Sequence, residues 1–417
     1  MVKLSRYLLV LIGITVAAIA IPKIYWTIFR EAVSVPNVMY SQIIDDFIIA
    51  ERAEDGSTVY KDSEGNTYTG EEAEQLLPLL SHRQLYADGT MPDSIRGVAI
   101  DHENITRHRS TYTFMPRNID TPQPVLWPML ESQPGRPSLS LPEDFFHLKD
   151  DIRFIVAATN AIDKEKSRRF NDALIQAGFS FPADIVAGIP TARKSRDEGY
   201  FVKDSEGDLF HIKMIRGEPH VNRIDIPRDT EITFIECVDM ATREFYAYLY
   251  TSDNALYILL SENYKLQQLP AEGFDRKTDR LRVRHDMFGK TISVIRGNSI
   301  HVSRVSESYE LTDTYETSWD PRHERSDHKM FASVFPFELR LEVPESNYVG
   351  FALVFSHGFT WLIANVLLVG VAIWFLKRKD RALRKHLPDL LVILLTGVFG
   401  FIAVRVFPNK FYDSFTC

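Results

Sequence analysis

The chain has 417 residues, more than one ordinary domain, and is 45% hydrophobic and 25% charged, the composition of a folded protein rather than a disordered one. A formal charge of −8 and a mean hydropathy of −0.14 are too polar for a polytopic permease. The apolar residues gather at the two ends, and residues 30–347 between them hold 37 Lys/Arg against 53 Asp/Glu, a formal −16 that argues against nucleic acid as a partner of this middle segment.

In chain order, Lys3 and Arg6 precede an uncharged run from Tyr7 to Pro22, followed by Lys23 and Trp26. The run rises about 24 Å as a helix, and with Tyr7 and Trp26 as interfacial anchors it can cross a bilayer. A cleaved signal peptide is the competing reading, since Ala18-Ile19-Ala20 fits a cleavage pattern. The apolar run continues into Ile21 and an aromatic belt follows it, which favours an uncleaved anchor over residues 1–29. Either reading exports the segment that follows.

Residues 30–346 are expected to form a β-rich domain. Ile43–Ile49 reads as a strand and Glu71–Leu80 as a short helix with Ala73, Leu76, Leu77 and Leu80 on one face. Residues 115–142 carry seven prolines and read as an extended, surface-hugging connection. Asp163–Gly178 is the best helix, capped by Asp163 and ended by Gly178, with Phe170, Ala173, Leu174 and Ala177 on one face. From Gly199 onward, hairpins recur with turns at Asp204, Asp253 and Asn298, spaced by 49 and 45 residues. The turn Lys61-Asp62-Ser63-Glu64-Gly65 repeats as Lys203-Asp204-Ser205-Glu206-Gly207. Such periods suit propeller-like repetition, clearest over 197–320, and the alternative is a plain antiparallel meander.

Chemistry-bearing motifs are sparse. His323-Glu324-Arg325-Ser326-Asp327-His328 resembles a zinc-protease helix, but its histidines stand at i, i+5, which puts them on different faces. His323, Asp327 and His328 are therefore weak metal candidates, and a charged, solvated connection is the favoured reading. The Lys-Asp-Ser-Glu-Gly turns start like calcium loops but lack the Gly and Glu those loops need at positions six and twelve, so they read as solvated turns. No nucleophile elbow, Cys-x-x-Cys pair or dinucleotide fingerprint occurs, so no catalytic residue and no cofactor are expected. Cys237 and Cys417 make no disulfide framework; a buried thiol and an unpaired end are simpler than a bridge between them.

The C-terminal end, residues 347–417, offers two further spans, about 355–376 and 390–407, joined by a basic loop over 377–389. Lys377, Arg378, Lys379, Arg381, Arg384 and Lys385 place that loop in the cytoplasm by the positive-inside rule, and Lys3 and Arg6 place the N-terminus there too. Three transmembrane helices then leave the main domain outside, with a short external tail ending at Cys417. Asn365 near the middle of the second span, and Thr396, Gly397 and Gly400 on the third, suit close helix packing, within the chain or against another membrane subunit.

Several stretches, read together, resemble a bacterial membrane-protein family known as domain of unknown function 4857. They are Val38–Ser41, Leu77-Pro78-Leu79 with Arg83-Gln84-Leu85, Gly89–Ile95, Leu130-Glu131-Ser132, Pro142–Phe145, Asp163–Arg168 and Asp197–Tyr200. The resemblance runs from the first span into the second and covers no catalytic signature. It implies a multi-pass Gram-negative inner-membrane protein with a periplasmic domain, and association with ABC-type export systems. The expectation is a non-enzymatic protein with a large periplasmic binding domain, plausibly an accessory subunit of an ABC-type transport complex with a protein partner in the membrane. The alternatives are a periplasmic ligand sensor and a metal-dependent periplasmic hydrolase.

Overall fold

A computed structural model describes residues 2–31, 33–53, 55–136, 138–342, 346–379 and 381–409. The chain divides into two compact units: Pro36–Thr317, and Met1–Val35 together with Ser318–Cys417. The division thus falls inside the expected exported domain, because residues 318–342 group with the terminal helices.

The Pro36–Thr317 unit is mainly β. Its larger sheets are antiparallel meanders in sequence order, with four strands over 37–68, three over 144–163, four over 185–224 and four over 232–269; a fifth sheet, over 280–318, carries the extra strand Ser110–Phe114 on its edge. Adjacent sheets stack face to face. Tyr200, Phe210, Phe146 and Phe154 fill one interface, with Phe170 of the helix Lys164–Gln176. Phe201, Leu209, Ala247 and Leu249 fill the next, and Tyr248, Tyr250, Leu281 and Val294 the one after. Both faces of an inner sheet are therefore covered, which is why Phe245–Thr251 and Gly289–Ile295 are buried at nearly every position instead of alternating. Among the described residues, no core cluster joins the 37–68 and 144–163 sheets into a closed ring. The repeated hairpins are present, and a complete propeller is not.

Local chemistry sets the turns. Asp62 accepts hydrogen bonds from the backbone N–H of Glu64 at 3.1 Å and Asn66 at 2.9 Å; Asp204 does the same for Glu206 at 3.0 Å and Asp208 at 2.9 Å. Gly65 and Gly207 supply φ of +94° and +92°, a region that disfavours a Cβ. The Asp204 carboxylate also accepts from the N–H of Ser180 at 3.0 Å, which ties its turn to the segment after the Lys164–Gln176 helix. The 71–80 helix is broken in two, Gly70–Leu76 and Pro78–Asp88, because Pro78 has no N–H to continue it. Asp163 caps the Lys164–Gln176 helix through the N–H of Lys166, at 2.9 Å. The proline-rich connection is more buried than expected: Trp127 exchanges two backbone bonds with Phe146, at 2.8 and 2.7 Å.

In the other unit, Leu4–Phe29 and Trp361–Arg378 are each long and apolar enough to cross a membrane. The second begins at Trp361 and not at Phe355, because Val349–Phe355 pairs with Phe337–Glu342 as a hairpin. The third expected span is corrected. Residues 390–407 do not form one crossing helix; they belong to two half-helices, Leu387–Thr396 and Val398–Val406, that meet at Gly397. Each rises only about 15 Å, half the thickness of a bilayer core. Their far ends return to one place. Arg6 holds both carboxylate oxygens of Asp389, at 2.8 and 3.0 Å, and the carbonyl of Phe407, at 2.9 Å. Asn409 Nδ2 reaches the carbonyl of Lys385 at 3.5 Å. The segment is a helical hairpin, and the chain at Asn409 lies back beside the basic loop. Cys417 lies outside the described residues.

Candidate functional site

A cavity of about 800 Å³ opens in the Pro36–Thr317 unit. Two strands frame it, Ile185–Gly188 and Ile232–Cys237, each the first strand of its meander. Each pairs on one side only, with Tyr200–Lys203 and Phe245–Thr251 respectively. The cavity lining includes every residue from Asp184 to Pro190 and from Thr233 to Cys237. A strand met face-on contributes alternate residues, so these unbroken runs mean that the cavity meets the strands edge-on. Backbone N–H and C=O groups of two neighbouring edges are thereby presented to whatever enters.

The side chains around these edges are mixed. Lys203 ties the two strands together, pairing with Asp184 at 2.6 Å and donating to the carbonyl of Ile232 at 2.8 Å. Trp127, Leu148 and Ile119 give the opposite wall apolar surface, and His147, Lys149 and Asn118 give it polar groups. Burial raises the Glu236 carboxyl above the usual carboxylate range. Burial, helped by Glu236, pushes the Cys237 thiol up to about 12, so the sulfur stays protonated and a poor nucleophile at neutral pH. Two edges, an apolar wall and scattered polar groups suit an extended polypeptide segment that completes the backbone hydrogen bonding.

Deeper in the same unit lies a buried aromatic–histidine network. Tyr112 stacks on Tyr248 with ring centroids 4.0 Å apart and shares a hydrogen bond with Tyr250 at 2.9 Å. The Tyr248 hydroxyl meets His285 Nε2 at 2.6 Å. Burial, then Lys290 and Arg304, lowers the His285 imidazole to about 3, so it is neutral at physiological pH. His211 is lowered to about 3 as well, chiefly by burial, and lies flat on Phe201 with centroids 4.1 Å apart.

The residues singled out in the sequence fall as follows. His323, Asp327 and His328 are not gathered into a metal centre, and among the described residues no group of three or more His, Cys, Asp or Glu could hold an ion. His323 packs at a tilt against His357 with centroids 4.7 Å apart, and His328 against Trp26 at 4.6 Å. Asp327 instead accepts from the N–H of Glu31 at 3.0 Å and from Arg325 at 2.9 Å. Asn365, Thr396, Gly397 and Gly400 converge at the tip of the helical hairpin. Asn365 Nδ2 donates to the carbonyl of Leu394 at 2.8 Å. A Cβ at Gly397, where φ is +60°, would strike the Asn365 amide; one at Gly400 would strike the Thr396 hydroxyl. Thr396 donates to the carbonyl of Val392 at 2.6 Å. Lys377 and Arg378 close the Trp361–Arg378 helix, and Lys379, Arg381, Arg384 and Lys385 follow it. Arg6 is not a solvated flank but a buried partner of Asp389. The Lys3 side chain lies outside the described ones.

Sequence reasoning missed the Ile185–Gly188 edge and the Arg6–Asp389 pair. The first had a signal in Ile185-Val186-Ala187-Gly188 between Pro182 and Pro190; the second, 383 residues apart, had none.

Residues 37–303 match the family described as "Domain of unknown function (DUF4857)", well over half of the chain, and the chain belongs to that family. No curated protein matches it in sequence. Among solved structures it is similar to "Dihydro-heme d1 dehydrogenase NirN in complex with DHE", at 8% identity and a TM-score of 0.22, over 55% of this chain and 57% of that one. The chain thus spans little more than half of that structure's length, and so distant a likeness carries nothing over to it.

Proposed function

We propose that this member of the family is a non-enzymatic, membrane-anchored binding protein. Its sheet unit lies in the periplasm of a Gram-negative cell and holds an extended segment of a partner polypeptide along the cavity edges. The N-terminal helix and the Trp361–Arg378 helix cross the inner membrane, and the re-entrant hairpin packs between them from the cytoplasmic side. Two crossings are too few for a permease, which favours an accessory role, plausibly in an ABC-type transport complex. The observation that carries the reading is the pair of adjacent one-sided strands facing about 800 Å³ of open volume, room for several residues of extended chain.

Photo-crosslinking in cells tests it. A benzophenone amino acid at Val186 is expected to yield a covalent adduct with a polypeptide, and the same probe at Thr312 on the outer strand Leu311–Ser318 is not. Equal labelling at both positions, or no polypeptide adduct at Val186, contradicts strand addition.

A further inference from the structure

A second cavity, of about 420 Å³, opens at the end of the helical unit that holds the Arg6–Asp389 pair. It lies between the Trp361–Arg378 helix and the two half-helices, with Phe375, Ile393 and Phe401 on its apolar walls. Lys379 and Arg405 stand in its lining, and neither has a carboxylate partner among the described residues. Arg381 adds a third cation. The Arg405 guanidinium rests 4.1 Å above the Phe375 ring and 6.0 Å from that of Phe401, so the charge leans on the apolar wall while the side chain stays exposed at the cavity mouth. The carboxylate in the lining, Asp389, is already neutralised by both terminal nitrogens of Arg6. Asn409, which is 4% exposed, also lines the cavity, and its Oδ1 is buried without a hydrogen-bond partner.

We infer that this cavity is a binding site for an anionic phospholipid. A phosphate between Lys379 and Arg405 answers their charge. A hydroxyl on the head group can donate to Asn409 Oδ1, and an acyl chain can lie along Phe375, Ile393 and Phe401. The cations stand at the end of the apolar helix, where the phosphates of the adjoining leaflet lie, and basic pockets between membrane helices at that level suit acidic head groups. The lipid then wedges the foot of the re-entrant hairpin against the crossing helix. This rests on the membrane-spanning reading and is independent of the partner held by the sheet unit.

The full chain, purified in mild detergent and stripped of lipid, is offered phosphatidylglycerol, phosphatidylcholine or soluble glycerol 3-phosphate, and adducts are read by native mass spectrometry. Phosphatidylglycerol should be retained at least about tenfold over phosphatidylcholine, and glycerol 3-phosphate should not displace it. Arg405→Gln and Lys379→Gln should each lower that retention about fivefold with unchanged melting temperature, and Arg405→Lys should restore most of it. Lys379 is exposed at a helix end, so its substitution leaves folding intact. Equal retention of both lipids, indifference to Lys379→Gln, or displacement by glycerol 3-phosphate alone would each overturn the assignment. The last would mean a soluble phosphate in place of a lipid. A chain that stays dispersed without detergent would overturn the membrane reading itself.

Discussion

Acidification should weaken the sheet unit through two histidines that are buried neutral. His211 and His285 each have an ordinary imidazole value of 6.5 and are lowered to about 3 in the fold. A lowered imidazole binds fewer protons folded than unfolded. Stability is therefore full above the unfolded value, and is lost as pH falls from about 6.5 toward about 3. At about pH 5 the unfolded imidazole is almost fully protonated and the folded one is not, a loss of roughly 2 kcal/mol per histidine, or about 4 kcal/mol for both. Glu236, whose carboxyl is raised by burial, works in the opposite direction and offsets part of this. The assay is urea unfolding of the full chain in detergent, followed by near-ultraviolet circular dichroism of the packed tyrosines Tyr112, Tyr248 and Tyr250, at about pH 7.5 and about pH 5. The drop on acidification should shrink by roughly 2 kcal/mol in His285→Gln, whose side chain does not titrate. Stability that holds or rises between the two pH values, or a His285→Gln protein with the full pH dependence, would refute the reasoning.

Arg6→Met leaves Asp389 buried without its partner and should cost about 3–5 kcal/mol in detergent unfolding, whereas Arg6→Met with Asp389→Leu should recover much of the loss. Gly397→Ala puts a Cβ on a residue at φ +60° and against Asn365; a loss of at least about 1–2 kcal/mol is expected, read as a lower melting temperature. Phe170→Ala empties a fully buried aromatic from the interface with the 185–224 sheet and should cost about 3–5 kcal/mol by urea titration. Asp163→Ala, which removes only the helix cap, should cost about 1 kcal/mol by the same titration.

What the sequence disclosed follows physical lines. The Asp163-capped helix was legible because cap, apolar face and terminal glycine all agree locally. The hairpins around Asp204 and Asp253 were legible because turn chemistry is local too. The strand Ser110–Phe114 was not, since its partner Arg280–Asp286 lies far along the chain and pairing register leaves no local mark. The hairpin within residues 390–407 leaves no mark in the sequence, because an apolar run has the same hydropathy whether it continues straight or turns back. The turn shows only in the φ of Gly397 and in where Arg6 and Asn365 reach. The candidate cavity was invisible for a similar reason: unpaired edges belong to the sheet order and not to any residue type.

Compartment-specific reporter fusions test the central claim most directly. An alkaline phosphatase, active only outside the cytoplasm, is joined after Glu206, after Ala382 or after Cys417. An exported sheet unit tethered by two crossings and a re-entrant hairpin predicts activity for the Glu206 fusion alone. Activity at Cys417 with none at Ala382 would mean that the last segment crosses the bilayer after all, and silence at Glu206 would mean that the sheet unit never leaves the cytoplasm.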